Sequence, residues 1–424
     1  MSVVSRLITH YFGKVDFPSE DYSNTPNWLS ILFAFGILLP WSVLITIASE
    51  CYVNFWFFKD EETWCSQKSM GSLIIASEFP DAAGNVFNLF TIIAVPLILS
   101  VFPLFRFNIF ILMVIQNLVV VLEPVPDLMK PFLFCTIGLA SAIFNFEFHG
   151  NSVYGVFANL PHSYIGALLI GNNMSGLLMA FVKICVTYYF YNLPKLAAIV
   201  YYSISVVILV LCAIAYLYYQ QKDVKKAKKA YTHKPSPSSL WTTFRNCYGQ
   251  LFNVWFCFAV THTIFPVMMT ATTRGKYGFL NNFISENNEI YTSLTGVLVF
   301  NLFAAIGFFV ASKVDGPTSI YLSLAVIARV LFIPVFFFCN YRVETRAYPV
   351  FFDNTDVFVV AGILMSLSHG YLSALAMGYT PNVSPSHYSR FAAHLSICTV
   401  LIGLFTGGWC AVIVEGLVDG LKFC

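Results

Sequence analysis

Polar side chains lie inside several of the long apolar stretches of this 424-residue sequence. Asn88 and Asn301 carry amides, each with two N–H donors and one carbonyl acceptor, and Trp41 offers a large flat ring directly after Pro40. A bilayer interior supplies no water, so each polar group there needs an internal partner or a bound solute. Amides and aromatic faces together suit a flat heteroaromatic ligand with several donors and acceptors.

The stretch at 145–152 is especially rich in polar residues, namely Asn145, Glu147, His149, Asn151 and Ser152. Helical spacing places His149 and Ser152 on one face and Glu147 on another. A carboxylate at that depth is costly unless it is paired. Glu147 therefore has two interpretations: a buried ion pair with Lys183, or a contact with a solute, in which case Glu147 or His149 makes binding depend on pH.

The elements that must hold these side chains are membrane helices. Hydrophobic residues make up 58% of the chain and charged residues 10%, whereas a soluble protein carries about a quarter charged residues. One bilayer crossing needs about 20 apolar residues. We therefore expect an all-α polytopic membrane protein with eleven transmembrane helices, at 28–49 and at roughly 81–102, 107–122, 131–159, 162–190, 195–220, 250–270, 289–312, 319–340, 355–380 and 389–416.

A basic interruption, with four lysines between Lys225 and Lys229, divides these helices into six and five. Positive charge marks cytoplasmic loops, so we expect the N-terminus inside and the C-terminus outside; such a loop can also bind anionic lipid. The N-terminal residues lack the pattern of a cleaved signal peptide. The predicted organisation is a cytoplasmic segment at 1–27, a six-helix half at 28–220, a linker at 221–249, a five-helix half at 250–416 and an outer tail at 417–424.

Several classes of function are excluded by missing motifs. The sequence has no Walker loop, GxSxG, HExxH or dinucleotide fingerprint, so we expect neither an enzyme nor an ATP-driven pump. The 11 cysteines lack zinc-site spacing, so we predict no metal and no cofactor. The net charge of +2 argues against a nucleic-acid partner. Cys51 and Cys65 share a predicted outer loop, and whether they form a disulfide stays open.

An ordered set of short motifs resembles the equilibrative nucleoside transporter family. The motifs are GILLPW at 36–41, NSVYG at 151–155, LPHSY at 160–164, IFP at 264–266, FNLF at 300–303, RVLFIP at 329–334 and HGYLS at 369–373. Each is weak alone, but their order and spacing cover nearly the whole chain. The resemblance implies a major-facilitator-like fold in a 6+5 arrangement, which works by alternating access without obligatory ion coupling.

Two sets of site residues follow from the motifs and the resemblance together. The predicted substrate-binding residues are Leu38, Trp41, Ile45, Phe87, Asn88, His149, Ser152, Phe265, Asn301, Ala304 and Phe308. The predicted structural or gating residues are Pro40, Gly171, Gly176, Pro266, Arg329, Gly370 and Tyr371. For Arg329 we expect its guanidinium to cap backbone carbonyls or to pair with a carboxylate.

The eighth predicted helix departs from the family pattern. Where the family has an Asp and an Arg that contact the ribose hydroxyls or the base, this chain has Ala304 and Phe308. The usual Gln of the fourth helix is also missing, with Gly150 or a near neighbour in its place. Losing both charges together strands neither partner, so the helix can remain stable. We expect ribose recognition to differ from the family norm.

The sequence thus predicts a monomeric facilitative carrier of nucleosides or nucleobases, embedded in the lipid bilayer of the plasma membrane. Two alternatives remain. One is a carrier of the same fold shifted to another solute such as an organic cation. The other is a receptor or scaffold that kept the fold and lost transport.

Overall fold

The computed structural model describes residues 27–48, 82, 162–228, 237–314, 316–384 and 389–420. The regular secondary structure of these residues is helical. The predicted spans at 81–102, 107–122 and 131–159 fall outside them, apart from the single helical residue at 82.

The helices are bounded as follows: α1 Asn27–Ala48, α2 His162–Tyr189, α3 Pro194–Lys228, α4 Pro237–Ile264, α5 Val267–Thr270, α6 Asn288–Thr292, α7 Val299–Ala311, α8 Ser319–Ala328, α9 Phe332–Phe337, α10 Thr355–Asn382 and α11 Ser389–Val418. Shorter helical turns are a π-helical segment at Ser293–Leu298, which joins α6 to α7, and 3₁₀ turns at Phe279–Asn282 and Arg329–Leu331.

Seven segments of the described residues are long and apolar enough to cross a membrane. They are Leu169–Tyr189, Lys195–Cys212, Trp241–Thr270, Asn288–Ala311, Ser319–Phe337, Thr355–Asn382 and Phe391–Val418. In a bilayer, a helix satisfies every backbone N–H and C=O within its own segment, which is why such runs are helical. The all-helical, polytopic membrane fold is confirmed, while the number eleven and the 6+5 division stay predictions.

The predicted linker at 221–249 is helical at both ends. α3 continues to Lys228, and α4 begins at Pro237 rather than near 250, with 229–236 outside the described residues. Lysine and glutamine are good helix formers, so α3 continues beyond its apolar stretch. Proline fits the first position of a helix because the N–H it lacks has no intrahelical partner there.

Capping and proline set other helix ends. The Asn354 side chain accepts a hydrogen bond from the Asp356 N–H at 2.8 Å and caps the start of α10. Asn287 caps α6 in the same way, through the N–H groups of Glu289 and Ile290. Pro266 ends α4, because its ring cannot continue the helical hydrogen-bond ladder.

Loops at one end of the helices are held by ion pairs. The Arg342 guanidinium donates to Glu415 at 2.6 Å and to Asp419 at 3.0 Å. Burial alone would lower the pKa of Arg342, but the Glu415 and Asp419 carboxylates raise it overall. The segment after α9 is thereby fixed against the C-terminal end of α11, where Ala347 N–H also donates to Val418 O at 2.7 Å.

Close helix contacts bring the candidate site together. α1 packs along α2, α4 along α11, and α7 along α10. The α1–α2 contact depends on Gly171, where an added Cβ would overlap the backbone of Ile31. The α7–α10 contact has glycine on both sides: a Cβ at Gly307 would lie 2.8 Å from Tyr371 N, and one at Gly370 would overlap the carbonyl of Ala304.

Candidate functional site

A cavity of about 170 Å³ lies between α1 and α2 on one side and α4, α7, α10 and α11 on the other. Eight residues predicted for the site line it: Leu38, Trp41, Ile45, Gly176, Phe265, Pro266, Asn301 and Phe308. Seven further polar residues also line it: Ser42, Thr46, Asn172, Asn173, Thr261, His262 and His369. The lining therefore combines a mostly apolar surface with scattered hydrogen-bonding groups, as is usual for small-molecule sites.

Trp41 lies where α1 meets the second group of helices. Its half-buried ring packs on a small buried cluster of Ile45, Val267 and Ala411, which belong to α1, α5 and α11. α1 is a continuous helix through Pro40. The indole thus contacts both the cavity and the junction of three helices.

One wall of the cavity is aromatic. The rings of Phe265 and Phe300 stack with centroids 3.8 Å apart and an angle of 9° between their planes. Phe300 also stacks with the imidazole of His369 at 5.8 Å, and Phe258 and Phe308 meet the same imidazole edge-on at 5.0 and 6.0 Å. Such a wall favours contact with the flat apolar face of a solute over contact with a hydrated polar group.

Asn301 supplies an amide to the wall between α2 and α7. Its Nδ2 donates to Val297 O at 2.9 Å, one turn back along the helix. The amide is packed against Gly176, where any Cβ would overlap its atoms. Gly176 therefore leaves the room that the Asn301 amide occupies, which is a structural role.

Arg329 is buried between α4 and α10 and does not line the cavity. Its guanidinium donates to Cys257 O at 2.8 Å, Thr261 Oγ1 at 2.8 Å and Met365 O at 3.2 Å. Its Nε donates to Ser368 Oγ at 3.2 Å. Of the two expectations for this residue, the capping of carbonyls is the one observed; among the described residues, none of its hydrogen-bond partners is a carboxylate.

Five of the predicted site residues do not line the cavity, namely Gly171, Ala304, Arg329, Gly370 and Tyr371. Ala304 is fully buried where α7 packs on α10. Phe308 is also buried, yet its longer side chain reaches the cavity. Outside the described residues are Phe87, Asn88, His149 and Ser152.

Lys183 is buried on α2 and its ammonium donates to Thr46 O on α1 at 2.9 Å. Its proposed partner Glu147 lies outside the described residues, so the ion pair stays a hypothesis. The observed bond ties α1 to α2 near the cavity, as does the 2.9 Å bond between the hydroxyls of Ser42 and Ser175.

The polar cavity residues that were not predicted from the sequence include those of α4, His369 of α10 and the amide pair Asn172 and Asn173 of α2. The signal was present, because Thr261, His262 and His369 are polar side chains inside apolar spans, the criterion that selected Asn301. A group of three or more His, Cys, Asp or Glu residues able to hold a metal ion is absent from the described part of the chain.

Known proteins resemble this chain over most of its length. The model of a family described as nucleoside transporter matches residues 132–415. Equilibrative nucleoside transporter 3 of Rattus norvegicus is 25% identical, covering 94% of this chain and 90% of its own. Equilibrative nucleotide transporter 1 of Arabidopsis thaliana is 22% identical, and the match covers 72% of this chain and 70% of that protein.

Solved transporter structures share the fold. A peptide transporter crystallised with alafosfalin superposes with a TM-score of 0.56 at 11% identity, covering 99% of this chain and 96% of its own. A bacterial homologue of the human drug peptide transporters PepT1 and PepT2 gives a TM-score of 0.52, also at 11% identity, covering 93% and 94%. The fold of this chain is thus like that of these two solved structures. Together with the family match, which spans well over half of the sequence, it follows that this multi-pass membrane protein belongs to the nucleoside transporter family.

Proposed function

We propose that this protein is a facilitative carrier of nucleosides and nucleobases that works by alternating access. The observation that carries the proposal is the cavity between two groups of helices, with an aromatic wall at Phe265 and Phe300 and an amide at Asn301. Stacking rings bind the faces of a heteroaromatic base, and amides bind its edges. The family supports a small-molecule nucleoside as the solute.

A neutral solute fits the described lining better than an organic cation. The cavity residues of the described chain include two histidines and no aspartate or glutamate. The Arg329 guanidinium lies behind the wall, one hydrogen bond from Thr261. At the described part of the lining, a cation would meet no carboxylate and would lie close to a fixed positive charge, which is unfavourable in a medium of low dielectric.

Uptake into proteoliposomes tests the function. Purified protein should give saturable uptake of labelled uridine, adenosine or hypoxanthine above empty liposomes, in the absence of an ion gradient. Ala304 and Phe308 offer no charged group to the sugar. The concentration of 2′,3′-dideoxyuridine that halves uptake should therefore lie within about three-fold of that for uridine. Saturable uptake of a cationic amine with none of the three solutes would refute the proposal, as would binding of them without flux.

Replacing Trp41 with alanine should slow transport while leaving the protein folded. The indole is half-buried and packs on Ile45, Val267 and Ala411, so its removal loosens a junction rather than the core. We expect apparent affinity or maximal flux for uridine to fall about ten-fold, the scale of one lost aromatic contact. Trp409→Ala is the matched control, because that exposed ring contacts Phe405 on its own helix. Equal kinetics for both variants would remove Trp41 from the transport path.

We further propose that the protein is a monomer in the plasma membrane with the Lys225–Lys229 run in the cytoplasm and Cys424 outside. The four lysines of that run support the orientation, since basic loops are retained on the cytoplasmic side. An epitope tag placed after Cys424 should be labelled by antibody on intact cells. A tag placed in the lysine run should be labelled only after the cells are permeabilised. Labelling of both tags from one side would mean that the number of spans after the run is even and not five.

A further inference from the structure

His369 is a buried residue of the cavity wall whose imidazole is surrounded by aromatic rings. It lies inside α10 with 5% of its surface exposed, and three phenylalanine rings contact its imidazole. A histidine among aromatic rings can serve as a plain packing residue. Its hydrogen bonds, however, fix the ring in one orientation and one tautomer.

The tautomer follows from the single hydrogen of the Thr261 hydroxyl. Thr261 Oγ1 lies 2.8 Å from Cys257 O, and two oxygen atoms at that distance need a hydrogen between them, which the threonine must supply. Arg329 Nη2 donates to the same Oγ1 at 2.8 Å, and His369 Nδ1 lies 2.9 Å from it. Because the hydroxyl hydrogen is already used, Nδ1 carries the proton and donates to Oγ1.

The opposite edge of the imidazole is therefore an acceptor. With Nδ1–H bonded to Thr261, the neutral ring has its lone pair on Nε2. Within the described residues, no protein group hydrogen-bonds to Nε2, and the His369 side chain lines the cavity. The Arg329 guanidinium on the other side of the same hydroxyl disfavours a second positive charge on the ring.

The chemistry around Nε2 selects its partner. A ribose placed against Phe258, Phe300 and Phe308 would lose water from several hydroxyls without replacement bonds. A heteroaromatic ring has apolar faces and can present a single in-plane N–H.

Resting on the function proposed above, we infer that His369 is the specificity-determining residue for the base: its Nε2 accepts a hydrogen bond from a ring N–H of the solute. Thr261 is the positioning residue, because its hydroxyl holds the imidazole and Arg329 holds the hydroxyl. The solute class is thereby narrowed to bases and nucleosides with an imide- or amide-type N–H, such as uracil and hypoxanthine.

Competition between pairs of solutes that differ by one N-methyl group tests the inference. In the native protein, uridine should compete at least about ten-fold better than 3-methyluridine, and inosine better than 1-methylinosine by a similar factor. The variant His369→Phe keeps a ring of similar size without the acceptor. In this variant, each parent nucleoside should compete no more than about two-fold better than its N-methyl analogue. Ratios that stay unchanged in this variant would overturn the inference, because the methyl group would then be excluded by shape alone.

The threonine variants provide the second arm. Thr261→Val removes the hydroxyl at nearly constant volume and should lower the same ratios, whereas Thr261→Ser should retain them. Thr263→Val is the matched control, because Thr263 Oγ1 makes the equivalent 2.8 Å bond to Ala259 O on the same helix without contacting His369. A loss of discrimination in the control equal to that in Thr261→Val would assign the effect to α4 as a whole and refute the positioning role.

The two proposals fail in different ways. If the native protein takes up none of the nucleosides or bases, the proposed function fails. If it takes them up but 3-methyluridine competes as well as uridine, the function stands and the role of His369 is wrong. A sugar-dependent loss in His369→Phe, seen with deoxy analogues and not with N-methyl analogues, would likewise overturn the assignment.

Discussion

Arg329→Met is expected to lower the free energy of unfolding by roughly 3 kcal/mol or more, the sum of lost hydrogen bonds from a buried charged group. The guanidinium bonds Cys257 O and Thr261 on α4 and Met365 O on α10, so one side chain joins two helices that are far apart in sequence. Arg329→Lys should rescue little, because an ammonium cannot reproduce the planar fork of donors. Thermal unfolding of the purified protein in detergent measures both.

Arg245→Met is the matched control for this prediction. Arg245 is exposed and lies on α4, the helix that also carries Cys257 and Thr261. Removing a surface charge changes stability by about 0.5 kcal/mol or less. If Arg329→Met unfolds at the same temperature as Arg245→Met, the buried network contributes nothing to the native state.

The helices of this protein were predictable because a bilayer tolerates few alternatives. Predicted spans such as 289–312 and 355–380 differ by two residues or fewer from helical segments of the structure, Asn288–Ala311 and Thr355–Asn382. The reason is that apolar side chains define the span, and the backbone N–H and C=O groups must form their hydrogen bonds with one another within it. The end of α3 and the start of α4 were missed, because polar residues continue those helices beyond the apolar stretch.

The site was only partly predictable. Trp41, Phe265 and Asn301 were selected by residue type and motif, and they line the cavity. Hydropathy places a helix in the membrane without fixing its rotation or its neighbours. The meeting of Thr261 and His369 depends on how α4 packs against α10, across 108 residues of sequence, and nothing in either span indicates that pairing.

Ala304 and Phe308 show a related limit. They lie one turn apart and both are buried, so spacing predicts a shared face. The structure places the backbone carbonyl of Ala304 in the contact with α10 and the ring of Phe308 at the cavity. Of the two, the residue with the longer side chain is the one that lines the cavity.

The contact between α7 and α10 gives the second large effect, since Gly370→Ala is expected to destabilise the protein by about 1–3 kcal/mol, as overpacking does elsewhere. A Cβ at this position would overlap Ala304 O and lie 2.9 Å from Phe308 N, and both are backbone atoms that cannot turn away. The two helices would have to separate, which would also move Phe308 and His369 at the cavity wall. Thermal unfolding and uridine uptake should therefore fall together.

Two other glycine-to-alanine changes separate this contact from a general effect of alanine. Gly249→Ala on α4 places a Cβ in open space, so helix propensity alone should stabilise that variant by about 0.5–1 kcal/mol. Gly362→Ala lies on α10 itself, where the nearest atom is the flexible Cε of Met269 at 3.1 Å, and its effect should be small. If Gly370→Ala unfolds at the same temperature as Gly362→Ala, α10 can shift without cost. The close approach of α7 and α10 would then not be what sets the position of His369.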